Sequence, residues 1–240
     1  MMRFLLVCSL LASPALAAPR IVPASDLLIN QSTPAISWRW RMAPEAATQP
    51  ALLGGLRSEA LKAATTAKAE AANDAASAKK DGFPFRRYES ISDWSLAADT
   101  PRLLALVGES YAFTGGAHGN TGYSARIWDK ATQKAVSFSA LFSDWAKAQA
   151  LIAPAYCAAL ATEQKARGGN PTNNCPKLAD QPIVPWAGLA SRATQLRVLL
   201  GPYTAGSYAE GAYLITLPWP EGVKPLVKPA YRDDLFGTMP

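Results

Sequence analysis

The clearest pattern near the start of the chain is an alternation. Ile36, Trp38, Trp40 and Met42 interleave with Ser37, Arg39 and Arg41, the period of a strand with one buried face. Residues 50–80 change period. Alanine dominates, Leu52, Leu53, Leu56 and Leu61 fall at helical spacing, and Gly82 with Pro84 marks a stop, so a long Ala-rich helix is expected there. Its second half has almost no large apolar residue, which predicts a solvent-facing, frayed end.

A strand-rich stretch follows. Tyr88–Ala97 and Leu103–Phe113 read as strands joined at Asp99-Thr100-Pro101, and Tyr123–Trp128 as a third with Tyr123, Ala125 and Ile127 on one face. Asp129–Thr132 turns into Lys134–Phe138 as a hairpin. Ser143 reads as the N-cap of a helix carrying Trp145, Ala148, Leu151 and Ile152, kinked or restarted at Pro154 and stopped at Gly168-Gly169. Pro185–Arg192 is expected to form a short helical turn, and Leu196–Leu200 and Tyr213–Leu217 two last strands. The resulting class is α+β: a mainly antiparallel sheet with the long helix and the kinked helix packed on it. No internal repeat is visible.

Composition adds a compartment. Residues 1–17, MMRFLLVCSLLASPALA, have one charge at Arg3, an apolar run and a small-x-small end at Ala15-Leu16-Ala17. That is a secretory signal, cut after Ala17 and too short for a membrane span. Cys8 lies inside the apolar run rather than at the cleavage point, which argues against a lipid anchor. An exported chain would retain two of its three cysteines, Cys157 and Cys175, and an even pair in an oxidising compartment predicts a disulfide. The net charge of +6 loses only Arg3 with the leader, and the remaining basic residues are scattered. Nucleic acid is therefore not an expected partner, whereas anionic wall polymers are compatible.

Candidate chemistry centres on TGGAHGNTG, residues 114–122. Gly115, Gly116, Gly119 and Gly122 surround His118, the only histidine in the chain. A phosphate loop would need a helix with Lys and Ser or Thr directly after the glycines; here a strand follows. The glycines suit a turn between strands, and His118 suits a cap that hydrogen-bonds backbone. On that reading Gly116→Val should harm folding far more than His118→Ala. A second segment, Gly201–Tyr213, combines small residues with Tyr203, Tyr208 and Glu210 on an expected surface loop. Tyrosine supplies contact area at low entropy cost, as recognition loops do.

Two stretches carry a family resemblance. RLLALVGESYAFTGGAHGNTGYSARIWDKATQKAVSFSALF (102–142) and GPYTAGSYAEGAYLITLP (201–218) resemble the extracytoplasmic domains of the anti-sigma factor RsiV and the peptidoglycan deacetylase PdaC. The match runs through TGGAH, Asp129–Lys134, Leu141-Phe142, Pro202-Tyr203, Tyr208-Ala209, Gly211 and Pro218, and covers roughly residues 34–228. It implies a PdaC-type lobe over 34–122 and an RsiV-like lobe over 123–228, between an irregular lead at 18–33 and a tail at 229–240. The resemblance departs from RsiV in the expected lack of a sigma-binding segment and of a membrane span after cleavage, and from PdaC in the expected lack of a catalytic module.

The resemblance implies a wall-facing binding domain. RsiV's domain recognises lysozyme, so a lysozyme-like protein or peptidoglycan is the expected partner, with His118, Glu109, Tyr203, Tyr208 and Glu210 as candidate binding residues. A basic lysozyme would feel no long-range attraction to this basic chain, although Glu109 and Glu210 offer local acidity. No cofactor or metal is called for. Zinc deacetylases need two histidines and a carboxylate, and zinc proteases a histidine pair, which a single histidine does not supply. The alternative is a wall hydrolase or an esterase- or deacetylase-like enzyme working through His118. A triad can be written from Ser110 or Ser124, His118 and Asp129, and a carboxylate pair from Glu109, Asp129 and Glu210.

Overall fold

The computed structural model describes residues 23–169, 175–188, 190 and 192–237. The expected signal peptide, its cleavage site and Cys8 lie outside the described residues. The first sheet takes its strands in chain order: β1 (Leu28–Ser32), β2 (Ile36–Arg41), β3 (Tyr88–Asp99), β4 (Leu103–Phe113), β5 (Asn120–Asp129) and β6 (Lys134–Val136). A second, antiparallel sheet holds β7 (Ile183–Trp186), β8 (Gln195–Leu200) and β9 (Tyr213–Pro218). In the first sheet β2 and β3 pair in parallel, and the other neighbours pair antiparallel. The parallel pair requires a crossover, which the long helix α1 (Pro50–Asp81) provides.

The sheet is covered on both faces. The even positions of β4, Leu104 and Leu106, pack with Ile36, Trp38 and Trp40 of β2 and Leu52, Leu53 and Leu56 of α1. The odd positions, Leu103, Ala105 and Val107, pack with Ile127 of β5, the second sheet, and a second helix α2 (Trp145–Ala166). This two-sided burial is why LLALV reads as a continuous apolar run rather than an alternation. β2 is buried on one face and alternates cleanly. The fold is α+β, as its pattern of elements predicts.

Several local expectations change. Leu28–Ser32, expected to be irregular, is β1, paired along its whole length with β2. The far half of α1 does not fray: Ala64 and Ala71 are fully buried, where a small side chain lets the helix approach the core. Tyr88 Oη donates to Asp74 at 2.9 Å, and Gly82 closes the helix at φ +74. The cap of α2 is Asp144 rather than Ser143: its carboxylate accepts from the Lys147 amide at 3.0 Å. Ser143 instead gives both its amide and its hydroxyl to the Leu226 carbonyl. Pro154 lies inside α2, which runs on as one helix to Ala166.

Residues 183–186 are strand β7, paired with β8, so Pro185 and Trp186, expected to open a helical turn, are extended; Leu189 and Ser191 lie outside the described residues. The expected tail holds a short helix, α3 (Pro229–Phe236), with Tyr231, Asp234 and Leu235 buried. It is tied to the β5–β6 turn. The Asp129 carboxylate, 1 % exposed, accepts from Arg102 at 2.9 Å, Tyr231 Oη at 3.1 Å and the Ala131 amide at 2.9 Å. Burial alone would raise the pKa of this carboxyl. The arginine, the Ala131 and Thr132 amides and Tyr231 together outweigh it and hold the pKa below its ordinary value.

Cys157 on α2 and Cys175 form a disulfide with Cα atoms 5.7 Å apart. It closes a loop with a sequence separation of 18. Replacing both cysteines by serine is expected to lower stability by about 3 kcal/mol on the chain-entropy estimate. Denaturant titration checks this, with a shifted midpoint and unchanged final unfolded signal as the expected result. The double variant of Asp129→Ala with Tyr231→Phe should cost less than the two single effects combined, because both remove the same buried hydrogen bond.

Candidate functional site

The turn between β4 and β5 carries the glycine–histidine motif, and its geometry assigns the glycines different tasks. Gly115 adopts φ +85, a conformation that side chains with a Cβ disfavour. Arg86 donates to the carbonyls of Gly115 and Gly116, at 3.3 and 2.7 Å. Gly119 is buried, and a Cβ there would lie 2.3 Å from the Tyr111 ring. Gly116 has open space around it and no positive φ. The expectation that Gly116 is the sensitive glycine is therefore corrected: Gly115 carries the positive φ, and Gly119 the close contact.

The second loop, 201–212, folds onto this turn from the other sheet. Both sides meet at one acceptor, the Gly119 carbonyl. It accepts from His118 Nδ1 at 2.8 Å and from Tyr208 Oη at 2.9 Å. These bonds assign the proton on His118 to Nδ1, which leaves Nε2 to accept from Tyr203 Oη at 3.3 Å. The His118 ring stacks on Tyr208 with centroids 3.9 Å apart, and Tyr203 sits 5.5 Å from Tyr208. Three aromatic rings from segments 85 residues apart thus form one cluster. Tyr203 is 60 % exposed and holds φ +68, one of two non-glycine residues with positive φ among those described. Such strain persists only where surroundings impose it, and it concentrates at functional surfaces.

Glu210 serves the loop internally. Its carboxylate accepts from the Ser207 amide at 2.7 Å and from Tyr213 Oη at 2.6 Å, closing a capping box. The Tyr213 bond first, and then Ser207, hold its pKa below the ordinary glutamate value. Burial and the same carboxylate push Tyr213 up to about 12. Arg167, at the end of α2, donates to the carbonyls of Glu210 and Ala212 and lies 4.2 Å over the Tyr213 ring. Gln164 reaches the Ala205 carbonyl at 2.6 Å.

Glu109 stands exposed on β4, outside this cluster. The paper triad is not assembled: Ser110 and Ser124 hydrogen-bond to Gly122 and Gly108 carbonyls, and Asp129 is engaged with Arg102 and Tyr231. Among the described residues no group of His, Cys, Asp and Glu has the arrangement of a metal site. No helix among them is long and apolar enough to cross a membrane.

Sequence reasoning passed over Tyr111, which backs Gly119, and Arg167, which holds the tyrosine loop. Tyr111 was legible as an odd position of β4, on the same face as Glu109. Arg167 offered no signal beyond its place at a helix end.

Fold and site define an α+β domain in which two loops build an exposed aromatic surface. Residues 29–121 match the sequence model of the family described as Deacetylase PdaC, so that segment is similar to a PdaC-type domain. No curated protein matches the chain. Its fold is similar to that of a DUF3298 family protein from Pseudomonas aeruginosa, at 16 % identity and TM-score 0.50, over 84 % of this chain and 91 % of the other. A DUF3298 family member from Bacteroides fragilis aligns at 14 % identity and TM-score 0.49, over 79 % and 74 %.

Gly119→Ala should destabilise by about 1–3 kcal/mol, because the Tyr111 ring must move. Gly116→Ala should stay within about 0.5 kcal/mol of the parent; thermal unfolding of both ranks them. Acid supplies a second test. The lowered pKa of Glu210 means its stabilisation is present above the unfolded glutamate pKa and is lost as pH falls through the folded value. Glu210→Gln should therefore flatten the loss of stability on the acid side, measured by melting temperature from neutral pH downward.

Proposed function

We propose that this chain is an exported, non-catalytic binding protein of the cell envelope. Its recognition surface is the Tyr203–His118–Tyr208 cluster, and its ligand is the peptidoglycan wall. The observation that carries this reading is Tyr203: exposed, held at positive φ, and packed on a histidine delivered by a separate loop. A side chain presented at a conformational cost, on a base pinned by Gln164 and Arg167, is built to meet something outside the molecule. Flat, amphipathic rings at an exposed site suit the apolar faces and hydroxyls of a sugar. The leader expected from the pattern of residues 1–17 and the disulfide agree with an oxidising, extracytoplasmic setting.

A wall-active protein such as a lysozyme is the second reading. It is favoured by the same exposed tyrosine, since tyrosines anchor protein interfaces, and by the likeness to RsiV. The net positive charge weighs against a basic partner. Catalysis through His118 has less support, because the ring nitrogens face the Gly119 carbonyl and the Tyr203 hydroxyl rather than a serine or a carboxylate.

Co-sedimentation with purified peptidoglycan, a parallel binding titration with a lysozyme, and a turnover assay on the same wall preparation separate the readings. Tyr203→Ala is expected to weaken wall binding at least tenfold, as loss of a central aromatic anchor does, while the melting temperature holds. Retention on lysozyme but not on the wall selects the second reading. Turnover abolished by His118→Ala in a folded variant overturns both.

A further inference from the structure

The odd face of β4 changes character along its length. Leu103, Ala105 and Val107 lie under the second sheet, but Glu109 and Tyr111 lie where that cover ends. There the two sheets leave a groove of about 300 Å³, walled by Asp93, Glu109, Tyr111 and Tyr123 from the first sheet and by Trp186 and Arg197 from the second. Strand register sets its floor: Arg41, Asp93, Glu109 and Tyr123 form one cross-strand row over β2, β3, β4 and β5.

That row puts two carboxylates side by side, a repulsive arrangement on its own. Arg39 and Arg41 both bind the same oxygen, Asp93 Oδ2, at 3.0 and 3.2 Å. Asp93 Oδ1 and Arg39 Nε remain buried without a hydrogen-bond partner. On the opposite wall the Arg197 guanidinium lies 3.3 Å from the centre of the Trp186 ring and donates through Nε to Thr216 at 2.6 Å. One wall residue, Tyr111, links the groove to the His118 turn. The Tyr111 ring packs on Gly119, whose carbonyl anchors His118 and Tyr208.

We propose that this groove and the His118 cluster form one continuous cleft for an oligosaccharide strand, with the aromatic cluster holding one end and the Glu109–Arg197 groove a second subsite. This rests on the wall-binding reading above and deepens it to a length requirement. The chemistry is that of a hydroxyl-rich polymer: flat apolar faces from Tyr111 and Tyr123, an acceptor in Glu109, and guanidinium donors around Asp93 and at Arg197. An extended peptide would seek a free strand edge, whereas the groove presents side chains of a sheet face. Carboxylates and guanidiniums are both present, which suits neutral sugars better than a strongly charged ligand.

The test titrates a disaccharide and a hexasaccharide of β-1,4-linked N-acetylglucosamine against the parent chain, Glu109→Ala and Tyr203→Ala. Glu109 is exposed, so its variant is expected to fold, which circular dichroism verifies. The hexasaccharide should bind the parent more tightly than the disaccharide. Glu109→Ala should lose about tenfold for the hexasaccharide, the value of a hydrogen bond to a charged group, and leave the disaccharide unchanged. Tyr203→Ala should weaken both. Hexasaccharide binding that depends on Tyr203 but is indifferent to Glu109 overturns the second subsite and leaves the first reading standing. No binding of either sugar to the parent, with capture of a lysozyme instead, overturns both.

Discussion

The strand Leu103–Phe113 is the constraint on which the other features depend. Its first five residues are buried on both faces, one set against the long helix and the other against the second sheet and α2. A strand in that position joins two cores that would otherwise be separate layers, and each core has its own large side chains. Burying five residues on two faces removes apolar surface worth several kcal/mol from water, even on a conservative area coefficient. The same strand then runs beyond the second sheet, and its outer half becomes surface. Core and exposed surface are thus successive stretches of one strand, and the point where cover ends sets where the proposed groove begins.

Beyond that point a single carbonyl organises the loops. Gly119 has no Cβ, so the Tyr111 ring rests against it while His118 and Tyr208 bond to its oxygen. A carbonyl has two lone pairs and accepts both donors. The bond from His118 Nδ1 fixes the tautomer, and the tautomer decides that Nε2 accepts from Tyr203. Exposed Tyr203 is therefore oriented through a chain of dependencies that starts at a glycine. Glu210 braces the loop from within, through Ser207 and Tyr213, and Arg167 braces it from the end of α2. That gives Glu210 a structural task within the loop.

Much of this was legible in sequence wherever period and burial agreed. β2 alternates because one face is buried. The Gly82 stop, the Leu103–Phe113 strand and the cysteine pair follow from local chemistry that tertiary structure did not override. Residues 28–32 and 183–186 were missed because short polar or proline-containing strands owe their state to a neighbour, and pairing partners are not visible along the chain. Residues 229–236 look like a tail until Asp129 and Arg102 are seen to receive them. The site was half legible. Both loops carried their signals, but that His118 and Tyr208 share one acceptor is a tertiary fact. So is the difference between Gly116 and Gly119, since nothing in GGAHG distinguishes a glycine with open space from one with a ring against it.

The position of the family match sharpens the point. Residues 29–121 include β1 to β4, α1, Glu109, His118 and Gly119, and end within the first residues of β5. Tyr203, Tyr208 and Glu210 come from outside it, as do Trp186 and Arg197. The odd face of β4 within the matched segment, Leu103, Ala105 and Val107, is apolar and needs the second sheet to cover it. The partner segment is therefore required twice over: once for folding, by burying that face, and once for the site, by supplying the exposed tyrosine and the far wall of the groove. A surface made jointly in this way cannot be assigned to either segment alone. The activity implied by the family's description does not follow from the matched residues, because the side chains that shape this surface come both from within the match and from the segment that follows it.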